Sequence, residues 1–247
     1  MKLTVIGCGD AFGAGGRLHS CFHVRCEAGV FLIDCGATSL IGLRRLGLDP
    51  NEIDSIFITH LHGDHFGGLT WMLLDGAHVS KRERPLLVTG PAGIEERFTA
   101  ATEALFPRAT QVPPRFEMVF REYAEGEAIE ANGVSVTPFE VSHFSGAPPY
   151  ALRLLAAGRT ITTTGDTEWV DALIPAAQGC DLLIAECYQY DLQLKYHLDY
   201  QTLSRNFARL GARRILLTHM SEAMLARAAE VDAGLCVMAR DGLVLDV

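Results

Sequence analysis

The sequence predicts an α/β fold, in which short β-strands alternate with helices along the chain. Three observations support this prediction. Apolar runs rich in Val, Ile and Leu recur along the chain, helical stretches bounded by Gly or Pro separate them, and 49% of the 247 side chains are hydrophobic. A chain of this length and composition can bury one substantial core. We therefore expect residues 1–247 to form a single domain.

The N-terminal part opens with strands and then alternates strands with helices. The first helix is predicted to end before Gly47 and Pro50, because Gly favours a helix C-terminus and Pro cannot continue a helix. The second helix is predicted to begin directly after the polar run 60–65. The predicted strands are 2–7, 21–26, 30–34 and 54–59, and the predicted helices are 37–46 and 66–74.

The rest of the chain continues this alternation around a proline-rich loop. The loop is predicted over residues 107–115, which include Pro107, Pro113 and Pro114. The turn dipeptide Asp241-Gly242 predicts a closing hairpin of 237–239 and 243–247. The other predicted strands are 86–89, 116–123, 134–141, 151–156, 160–164, 181–185 and 214–218, and the predicted helices are 94–105, 200–210 and 222–229.

Composition and charge narrow the function classes. The seven cysteines include no Cys-x-x-Cys pair, which argues against a disulfide framework and a thiolate zinc ribbon. The net charge of −9 disfavours extended nucleic-acid binding, because such binding depends on clustered Lys and Arg. The one basic run, 81–84, is interpreted as a solvated turn. No apolar stretch is long enough to span a membrane, so we expect a soluble, cytoplasmic protein.

The most informative motif is the run 60–65, which follows a predicted strand. It contains His60, His62, Asp64 and His65, and neutral imidazoles and carboxylates are ligands that zinc, iron and manganese accept. A strand that runs into a turn can aim alternate side chains at one point. The run therefore predicts a metal site and, with it, a metallohydrolase.

Three more polar residues, His143, Asp166 and His219, stand at the ends of predicted strands. Strand ends that point the same way can converge on one rigidly supported site. Seven ligands are too many for one tetrahedral zinc but suit two ions about 3.5–4 Å apart that share a carboxylate, here Asp166. Asp34 also ends an apolar strand, where it either orients a ligand histidine or caps a turn. The histidines interpreted as ordinary surface or loop residues are His19, His23 and His78.

The motif Thr-His-x-His-x-Asp-His at 59–65, followed by the later His, Asp and His, resembles the signature of the metallo-β-lactamase superfamily. The resemblance covers roughly residues 1–75 and 130–247. It implies a four-layer αβ/βα sandwich with a dinuclear site along one edge between two sheets. In that scheme one metal is held by His60, His62 and His143, the other by Asp64, His65 and His219, and Asp166 bridges them.

Within the superfamily, the opening Gly-Cys-Gly-Asp-Ala-Phe-Gly at 7–13 resembles the ribonuclease Z and cyclic phosphodiesterase branch. A strand that ends at Glu186, and the histidine His197, are similar to two further features of that branch. The match departs at two points, because Ala185 stands where a histidine is usual and Leu-Asp rather than Ser-Thr follows His197. The resemblance implies that Glu186 orients His197, which assists the leaving group.

The predicted function is a dinuclear metal-dependent hydrolase, in particular a phosphodiesterase for a small or nucleotide-like phosphodiester. We expect two divalent ions, preferably Zn²⁺, with Mn²⁺ or Fe as alternatives. A metal-bridging hydroxide would attack phosphorus, with Asp64 orienting it and His197 and Glu186 aiding departure of the alkoxide. By resemblance to the branch we also expect a homodimer.

Other functions stay open at this point. One is a glyoxalase-II-like thioesterase or lactonase, and another is a tRNA 3′-processing endoribonuclease. The acidic charge and the short segment 81–122, which leaves no room for a long tRNA-gripping arm, weaken the latter. Outside the hydrolases, the alternative is a non-catalytic or redox metal-binding domain.

Overall fold

Two mixed β-sheets form the centre of the protein, and helices cover their outer faces. The computed structural model describes residues 1–111 and 114–247, and each sheet has seven strands within these ranges. The first sheet consists, in spatial order, of β14 (Val244–Asp246), β1 (Lys2–Gly7), β2 (Cys21–Cys26), β3 (Gly29–Ile33), β4 (Ser55–Phe57), β5 (Leu86–Gly90) and β6 (Met118–Glu122). The second consists of β13 (Cys236–Met238), β12 (Ile215–Thr218), β11 (Leu182–Glu186), β10 (Arg159–Thr163), β9 (Tyr150–Ala156), β8 (Val134–Glu140) and β7 (Ile129–Ala131).

The helices are short and lie in the connections between strands. They are α1 (Ser39–Arg45), α2 (Gly63–Phe66), α3 (Leu69–Leu74), α4 (Ile94–Leu105), α5 (Leu173–Ala177), α6 (Tyr200–Leu210) and α7 (Glu222–Leu225). No helix in the described part of the chain is long and apolar enough to cross a membrane.

The two sheets repeat one pattern of strand pairing. In the first sheet, β14, β1, β2 and β3 pair antiparallel, and β3, β4, β5 and β6 pair parallel. In the second, β7, β8, β9 and β10 pair antiparallel, and β10, β11, β12 and β13 pair parallel. Because parallel strands end at the same edge of a sheet, the residues that follow β10 and β12 lie at a common edge.

An apolar core between the sheets joins them. Phe22 and Phe57 of the first sheet and Leu152 and Ile184 of the second belong to one buried cluster. Each sheet also has an apolar cluster on its outer face, between its strands and the helices that cover them. The parallel strands β11 and β12 are buried throughout, which explains why they are apolar up to their last residues, Glu186 and Thr218. These layers confirm the predicted four-layer αβ/βα sandwich.

Several predicted elements are confirmed closely. The helix α4 spans the predicted residues 94–105, and α6 spans 200–210. The start of α6 is fixed by Asp199, whose side chain accepts a hydrogen bond from the Thr202 backbone N–H at 2.8 Å. Its end is fixed by Gly211, which takes the left-handed conformation with φ 62°. Local capping signals thus determine the bounds of this helix.

The predicted hairpin of 237–239 and 243–247 is wrong. The strand β13 lies at the edge of the second sheet, whereas β14 lies at the edge of the first and pairs with β1. The carboxylate of Asp241 accepts hydrogen bonds from the backbone N–H groups of Cys8, at 3.2 Å, and Leu18, at 2.9 Å. Contacts with distant residues therefore override the local hairpin preference of the Asp-Gly turn.

Burial overturns two interpretations of basic and polar residues. In the run 81–84, interpreted as a solvated turn, Arg82 is only 3% exposed. Its guanidinium donates hydrogen bonds to the carbonyl oxygens of Ile53, at 2.7 Å, and Pro85, at 2.8 Å. His23, interpreted as a surface or loop residue, lies in β2 and is 2% exposed.

Smaller differences concern short elements. The strand β7 and the helix α5 are absent from the sequence prediction. Where a helix was predicted over 66–74, the structure has two helices, α2, which begins at Gly63 inside the run 60–65, and α3, which ends at Leu74. The predicted helix 222–229 is shorter, because α7 ends at Leu225. In the predicted loop 107–115, Ala109–Gln111 form a 3₁₀ turn, while Pro113 and its neighbour at 112 lie outside the described residues.

Candidate metal centre

Polar residues that follow four strands meet at one edge of the sandwich. The run 60–65 follows β4, and His143, Asp166 and His219 follow β8, β10 and β12. The structure brings all seven predicted ligand residues into two neighbouring groups, within each of which the ligand-type atoms lie no more than 4.8 Å apart. The first group draws on both sheets, and so does the second.

The first group consists of His60, His62 and His143. His143 Nε2 lies 3.1 Å from His62 Nδ1. The other ring nitrogen of His143, Nδ1, lies 3.0 Å from the backbone carbonyl oxygen of Tyr196, to which it donates. This hydrogen bond selects the tautomer in which the Nε2 lone pair faces the other two histidines. His60 Nδ1 lies 3.1 Å from Thr59 Oγ1. The other ring nitrogen of His60, Nε2, is therefore available to an ion held together with His62 and His143.

The second group consists of Asp64, His65, Asp166 and His219. Asp64 Oδ2 lies 3.4 Å from His65 Nε2 and 3.3 Å from His219 Nε2. On the far side of its ring, His65 Nδ1 donates to Asp34 Oδ2 at 2.7 Å. Of the two interpretations of Asp34, the structure therefore supports the one in which it orients a histidine of the centre.

Asp166, a member of the second group, also faces the first group. Its Oδ1 is 3.3 Å from His65 Nε2, and its Oδ2 is 3.2 Å from His219 Nε2. The same Oδ2 is 3.9 Å from His60 Nε2 and 3.9 Å from His143 Nε2. One carboxylate thus faces imidazoles of both groups, which is the placement that a bridging ligand requires.

The pKa values of the centre follow from burial opposed by neighbouring charge. Burial lowers the pKa of His60 well below its usual range, so this imidazole is neutral. Burial acts in the same direction on His219, but the carboxylates of Asp166 and Asp64 outweigh it and raise the pKa to about 9. Burial opposes ionisation of Asp166, yet the surrounding histidines hold its pKa well below the usual range. The buried carboxylates are therefore ionised, which suits the binding of cations.

Two ring nitrogens provide a test of whether a metal fits. Nε2 of His60 and Nε2 of His65 are buried, and neither has a partner in hydrogen-bonding geometry among residues 1–111 and 114–247. A buried polar atom left unsatisfied costs about 1–3 kcal/mol. A divalent ion would accept these lone pairs, and imidazole with carboxylate is a donor set that zinc, manganese and iron accept. The residues present therefore fit a metal centre.

Glu186 and His197, both predicted from the resemblance, lie beside the second group. His197 Nδ1 hydrogen-bonds Glu186 Oε1. The other carboxylate oxygen of Glu186 accepts from the backbone N–H groups of Thr167, at 3.0 Å, and Leu198, at 2.9 Å. The His197 side chain is 25% exposed while that of Glu186 is 1% exposed. The carboxylate is therefore fixed in the interior, and the imidazole reaches from it to the surface.

The two groups also shift each other's pKa values. Burial disfavours the charged form of His197, but the hydrogen bond and the charge of Glu186 outweigh it, so the pKa of His197 lies above its usual range. Burial and the charge of Asp166 raise the pKa of Glu186 above its usual range, against the opposing effect of His197. His197 can therefore carry a proton at neutral pH beside the proposed metal ligands of the second group.

Two cavities adjoin the centre. One of about 360 Å³ is lined by His197 and Lys195 among others. The other, of about 460 Å³, is lined by Asp64 and by His19. Sequence reasoning placed His19 among ordinary residues, although its position at the end of the glycine-rich opening was a signal. It also missed Tyr196, which contacts His143 through its backbone carbonyl oxygen. Every residue type has this group, so the sequence gives no signal for such a contact.

Comparisons with known proteins agree with this description. Residues 1–243 match the family model described as "Anti-Pycsar protein Apyc1". A probable metallo-hydrolase of Bacillus subtilis, YhfI, is 28% identical over 231 residues, covering 89% of this chain and 87% of that protein. Ribonuclease Z of Mycobacterium bovis is 26% identical over 241 residues, with coverage of 89% and 85%. Human tRNase Z, short form, superposes with a TM-score of 0.79 at 25% identity, covering 100% of this chain and 99% of that one.

Proposed function

The chain belongs to the Anti-Pycsar protein Apyc1 family, and from this membership and the geometry of the site we propose that it is a phosphodiesterase for a small or nucleotide-like phosphodiester. The resemblance to metallo-β-lactamase-fold hydrolases of the ribonuclease Z type is confirmed by the relatives. The protein is a metallo-hydrolase, and hydrolases of this fold use divalent metals. The proposal concerns the substrate class, the ligands and the catalytic residues.

The proposed ligands are the seven residues of the two groups. His60, His62 and His143 would hold one ion, Asp64, His65 and His219 would hold the other, and Asp166 would bridge them. The unpaired ring nitrogens and the placement of Asp166 support this assignment. We propose Zn²⁺, with Mn²⁺ and Fe as alternatives. When bound, two such ions would lower the pKa of water and offset charge on the phosphoryl oxygens.

Three residues have further roles in the proposed reaction. Asp64, whose Oδ2 faces the centre, accepts a hydrogen bond from the attacking water and orients it toward phosphorus. His197 donates a proton to the leaving alkoxide, because its raised pKa keeps it protonated. Glu186 is a positioning residue, since it holds His197 Nδ1 and is itself held by two backbone N–H groups.

The hydrogen-bonded pair of His197 and Glu186 is the observation that carries the choice of substrate class. An alkoxide leaving from phosphorus is strongly basic and needs a proton, which a histidine with a raised pKa can supply. A thiolate leaving from a thioester is much less basic and does not need this donor. A fixed proton donor beside the centre therefore favours an ester with an oxygen leaving group over a thioester, and the substrate panel separates a phosphodiester from a lactone.

A panel of substrates tests the proposal. The metal-loaded protein should hydrolyse a nucleoside 3′,5′-cyclic phosphate and bis(4-nitrophenyl) phosphate. Activity on a thioester and a lactone alone would overturn the proposal in favour of a glyoxalase-II-like reaction. Metal content and a His62→Ala variant test the centre, and full activity of a metal-depleted His62→Ala protein would refute it.

A variant of His197 tests the proton donor. His197→Ala should lower kcat for the cyclic phosphate by about 10²- to 10⁴-fold. It should lower kcat much less for bis(4-nitrophenyl) phosphate, because nitrophenolate departs without a proton. His78→Ala serves as the control, since His78 is exposed and lies outside the centre. An equal loss on both substrates would show that His197 supports the site structurally.

A second candidate function, tRNA 3′-processing, is favoured by the similarity to ribonuclease Z of Mycobacterium bovis. The net charge of −9 argues against it, because tRNA binding depends on clustered Lys and Arg and this chain has more acidic than basic side chains. Cleavage of a precursor tRNA at a rate comparable to that of the cyclic phosphate would support this second function.

Two properties of the whole chain belong to the proposal. We propose that residues 1–247 form one hydrolase domain, because the core between the sheets combines residues from both halves of the chain. A single cooperative unfolding transition would support this organisation, and two separate transitions would contradict it. The homodimer stays a prediction, which light scattering can measure.

A further inference from the structure

The segment 194–197 supplies two groups to the proposed centre. The backbone carbonyl oxygen of Tyr196 accepts a hydrogen bond from His143 Nδ1 at 3.0 Å, and the next residue, His197, is the proposed proton donor. The His197 backbone N–H donates to the Leu194 carbonyl oxygen at 3.2 Å, which closes the segment into a tight turn. A movement of this turn would therefore displace the proton donor together with the oxygen that orients a proposed metal ligand.

Tyr196 has a strained backbone conformation in this turn. Its φ of 73° lies in the left-handed region, where a residue other than Gly costs about 1–3 kcal/mol and persists only if its surroundings hold it. The turn lies partly in solvent, because Lys195 is exposed and Tyr196 is only half-buried. A strained residue at such a position requires specific contacts from neighbouring segments.

The carboxylate of Glu168 provides such contacts. Its Oε2 accepts a hydrogen bond from the Tyr196 backbone N–H at 3.4 Å, and its Oε1 accepts one from Ser142 Oγ at 2.6 Å. Ser142 directly precedes His143, and its carbonyl oxygen accepts a hydrogen bond from the Glu168 backbone N–H at 3.2 Å. One carboxylate thus joins the chain segment that carries His143 to the turn whose carbonyl oxygen orients the His143 ring.

Glu186 holds the other side of the same turn. Its Oε2 accepts a hydrogen bond from the Leu198 backbone N–H at 2.9 Å, and its Oε1 bonds the His197 ring. The two carboxylates therefore hold the backbone N–H groups on either side of His197, Glu168 at residue 196 and Glu186 at residue 198. Glu186 orients the ring, whereas the contacts of Glu168 are with the backbone that carries it.

Building on the proposed phosphodiesterase function, we propose that Glu168 is a positioning residue, which fixes Tyr196 so that its carbonyl oxygen orients His143 and His197 stays beside the centre. Glu168 acts through these two histidines. Its contribution comes from the two side-chain hydrogen bonds that it accepts and from the length that lets it span both partners, and its negative charge is not required.

Two conservative variants separate hydrogen bonding from charge. Glu168→Gln keeps the length, since its carbonyl oxygen can accept from the Tyr196 N–H and its amide can donate to Ser142 Oγ. Glu168→Asp keeps the charge but is one methylene shorter, so it cannot reach both partners. Glu168→Gln should therefore retain activity, and Glu168→Asp should lose it, as Glu168→Ala does. Retention by the Asp variant and loss by the Gln variant would refute the proposal.

Two measurements follow the two histidines. At saturating Zn²⁺, Glu168→Asp should lower kcat for a nucleoside 3′,5′-cyclic phosphate about 10- to 100-fold. It should lower kcat for bis(4-nitrophenyl) phosphate much less, because nitrophenolate departs without a proton. Competition with a chromogenic chelator should show that one Zn²⁺ binds about ten-fold more weakly, because His143 has lost its orientation. Glu168→Gln should stay within about two-fold of the wild-type protein in each measurement.

Glu127→Ala is the control, because Glu127 is exposed and lies before β7, outside the centre; urea unfolding shows whether each variant is folded. Equal losses of kcat on both diesters, or unchanged kcat and zinc affinity in Glu168→Asp, would refute the positioning role and leave the phosphodiesterase function standing. Failure of the wild-type protein to hydrolyse either diester would refute that function instead. The chelator competition would then still decide the effect on His143, since an unchanged zinc affinity refutes it and a weakened one supports it.

Discussion

Replacement of Arg82 by Leu should destabilise the protein strongly, although the residue is far from the proposed centre in sequence and belongs to the basic run 81–84. The Arg82 side chain is almost fully buried. Its guanidinium donates to four backbone carbonyl oxygens within 3.2 Å, those of Arg84 at 2.8 Å, Pro50 at 3.2 Å, Ile53 at 2.7 Å and Pro85 at 2.8 Å, and more weakly to a fifth, that of Asn51 at 3.5 Å. It therefore joins the turn before β4 to the turn before β5.

The magnitude follows from these four hydrogen bonds. A hydrogen bond to a charged group contributes about 1.5–3 kcal/mol, so a simple sum over four would give about 6–12 kcal/mol. Water can enter the vacated space and satisfy part of the carbonyl oxygens, so the net loss is smaller. The substitution leaves neutral carbonyl oxygens, and each one without a partner costs about 1–3 kcal/mol. With water satisfying about two of the four, we expect Arg82→Leu to lose about 4 kcal/mol and to lower Tm by about 10 °C.

Urea unfolding followed by circular dichroism measures this loss. Arg84→Leu is the control, because the Arg84 side chain is 60% exposed and its ion pair with Asp54 lies at the surface, where such pairs contribute about 0–1 kcal/mol. Arg82→Lys should fall between the two, since an ammonium cannot reach all four carbonyl oxygens. A loss below about 1 kcal/mol for Arg82→Leu would refute the reasoning, as would equal losses for both Leu variants.

Three other changes have outcomes set by the structure. Asp34→Asn should weaken divalent-metal binding about 10- to 100-fold, because a neutral amide makes His65 a poorer ligand; competition with a chromogenic chelator measures this, and unchanged affinity would contradict it. Burial, then the nearby Arg25, lowers the pKa of His23 to about 4. The unfolded state therefore takes up the proton first as pH falls from about 6.5, and up to about 3 kcal/mol is lost by pH 4. His23→Leu should show less of this loss when unfolding is compared at pH 7 and pH 5, and an identical pH dependence would exclude the effect. Leu152→Ala, in the core between the sheets, should cost about 2–5 kcal/mol in urea unfolding, and a cost below about 1 kcal/mol would show that the site collapses on truncation.

The convergence of the proposed ligands was predictable because the run 60–65 and the three later ligands each follow a strand that the sequence identifies. Strand ends at a common edge lie close together even when the loops between them differ in length. The contact between Asp34 and His65 was open at the sequence level, since an aspartate after a strand serves equally well as a turn cap. Only the fold places these two side chains 2.7 Å apart.

The failures share one physical cause, which is dependence on distant residues. Asp241 and Gly242 look like a hairpin turn, but the carboxylate binds the N-terminal loop and the two strands enter different sheets. The burial of Arg82 depends on the carbonyl oxygens of Pro50 and Ile53, which the turn before β4 supplies. Local sequence indicates secondary-structure propensity and hydrophobic periodicity, but it does not predict which loops pack against each other.

The division of the proposed ligands between the two sheets has a thermodynamic consequence. The run 60–65 follows a strand of the first sheet, whereas His143, Asp166 and His219 follow strands of the second. An ion held from both sides binds only when the sheets are docked, so its binding free energy opposes their separation. Each ten-fold rise in free metal above the dissociation constant then adds about 1.4 kcal/mol to the stability of the docked state. Hydrogen exchange in the core between the sheets should therefore slow with metal concentration, even though that core contains no ligand.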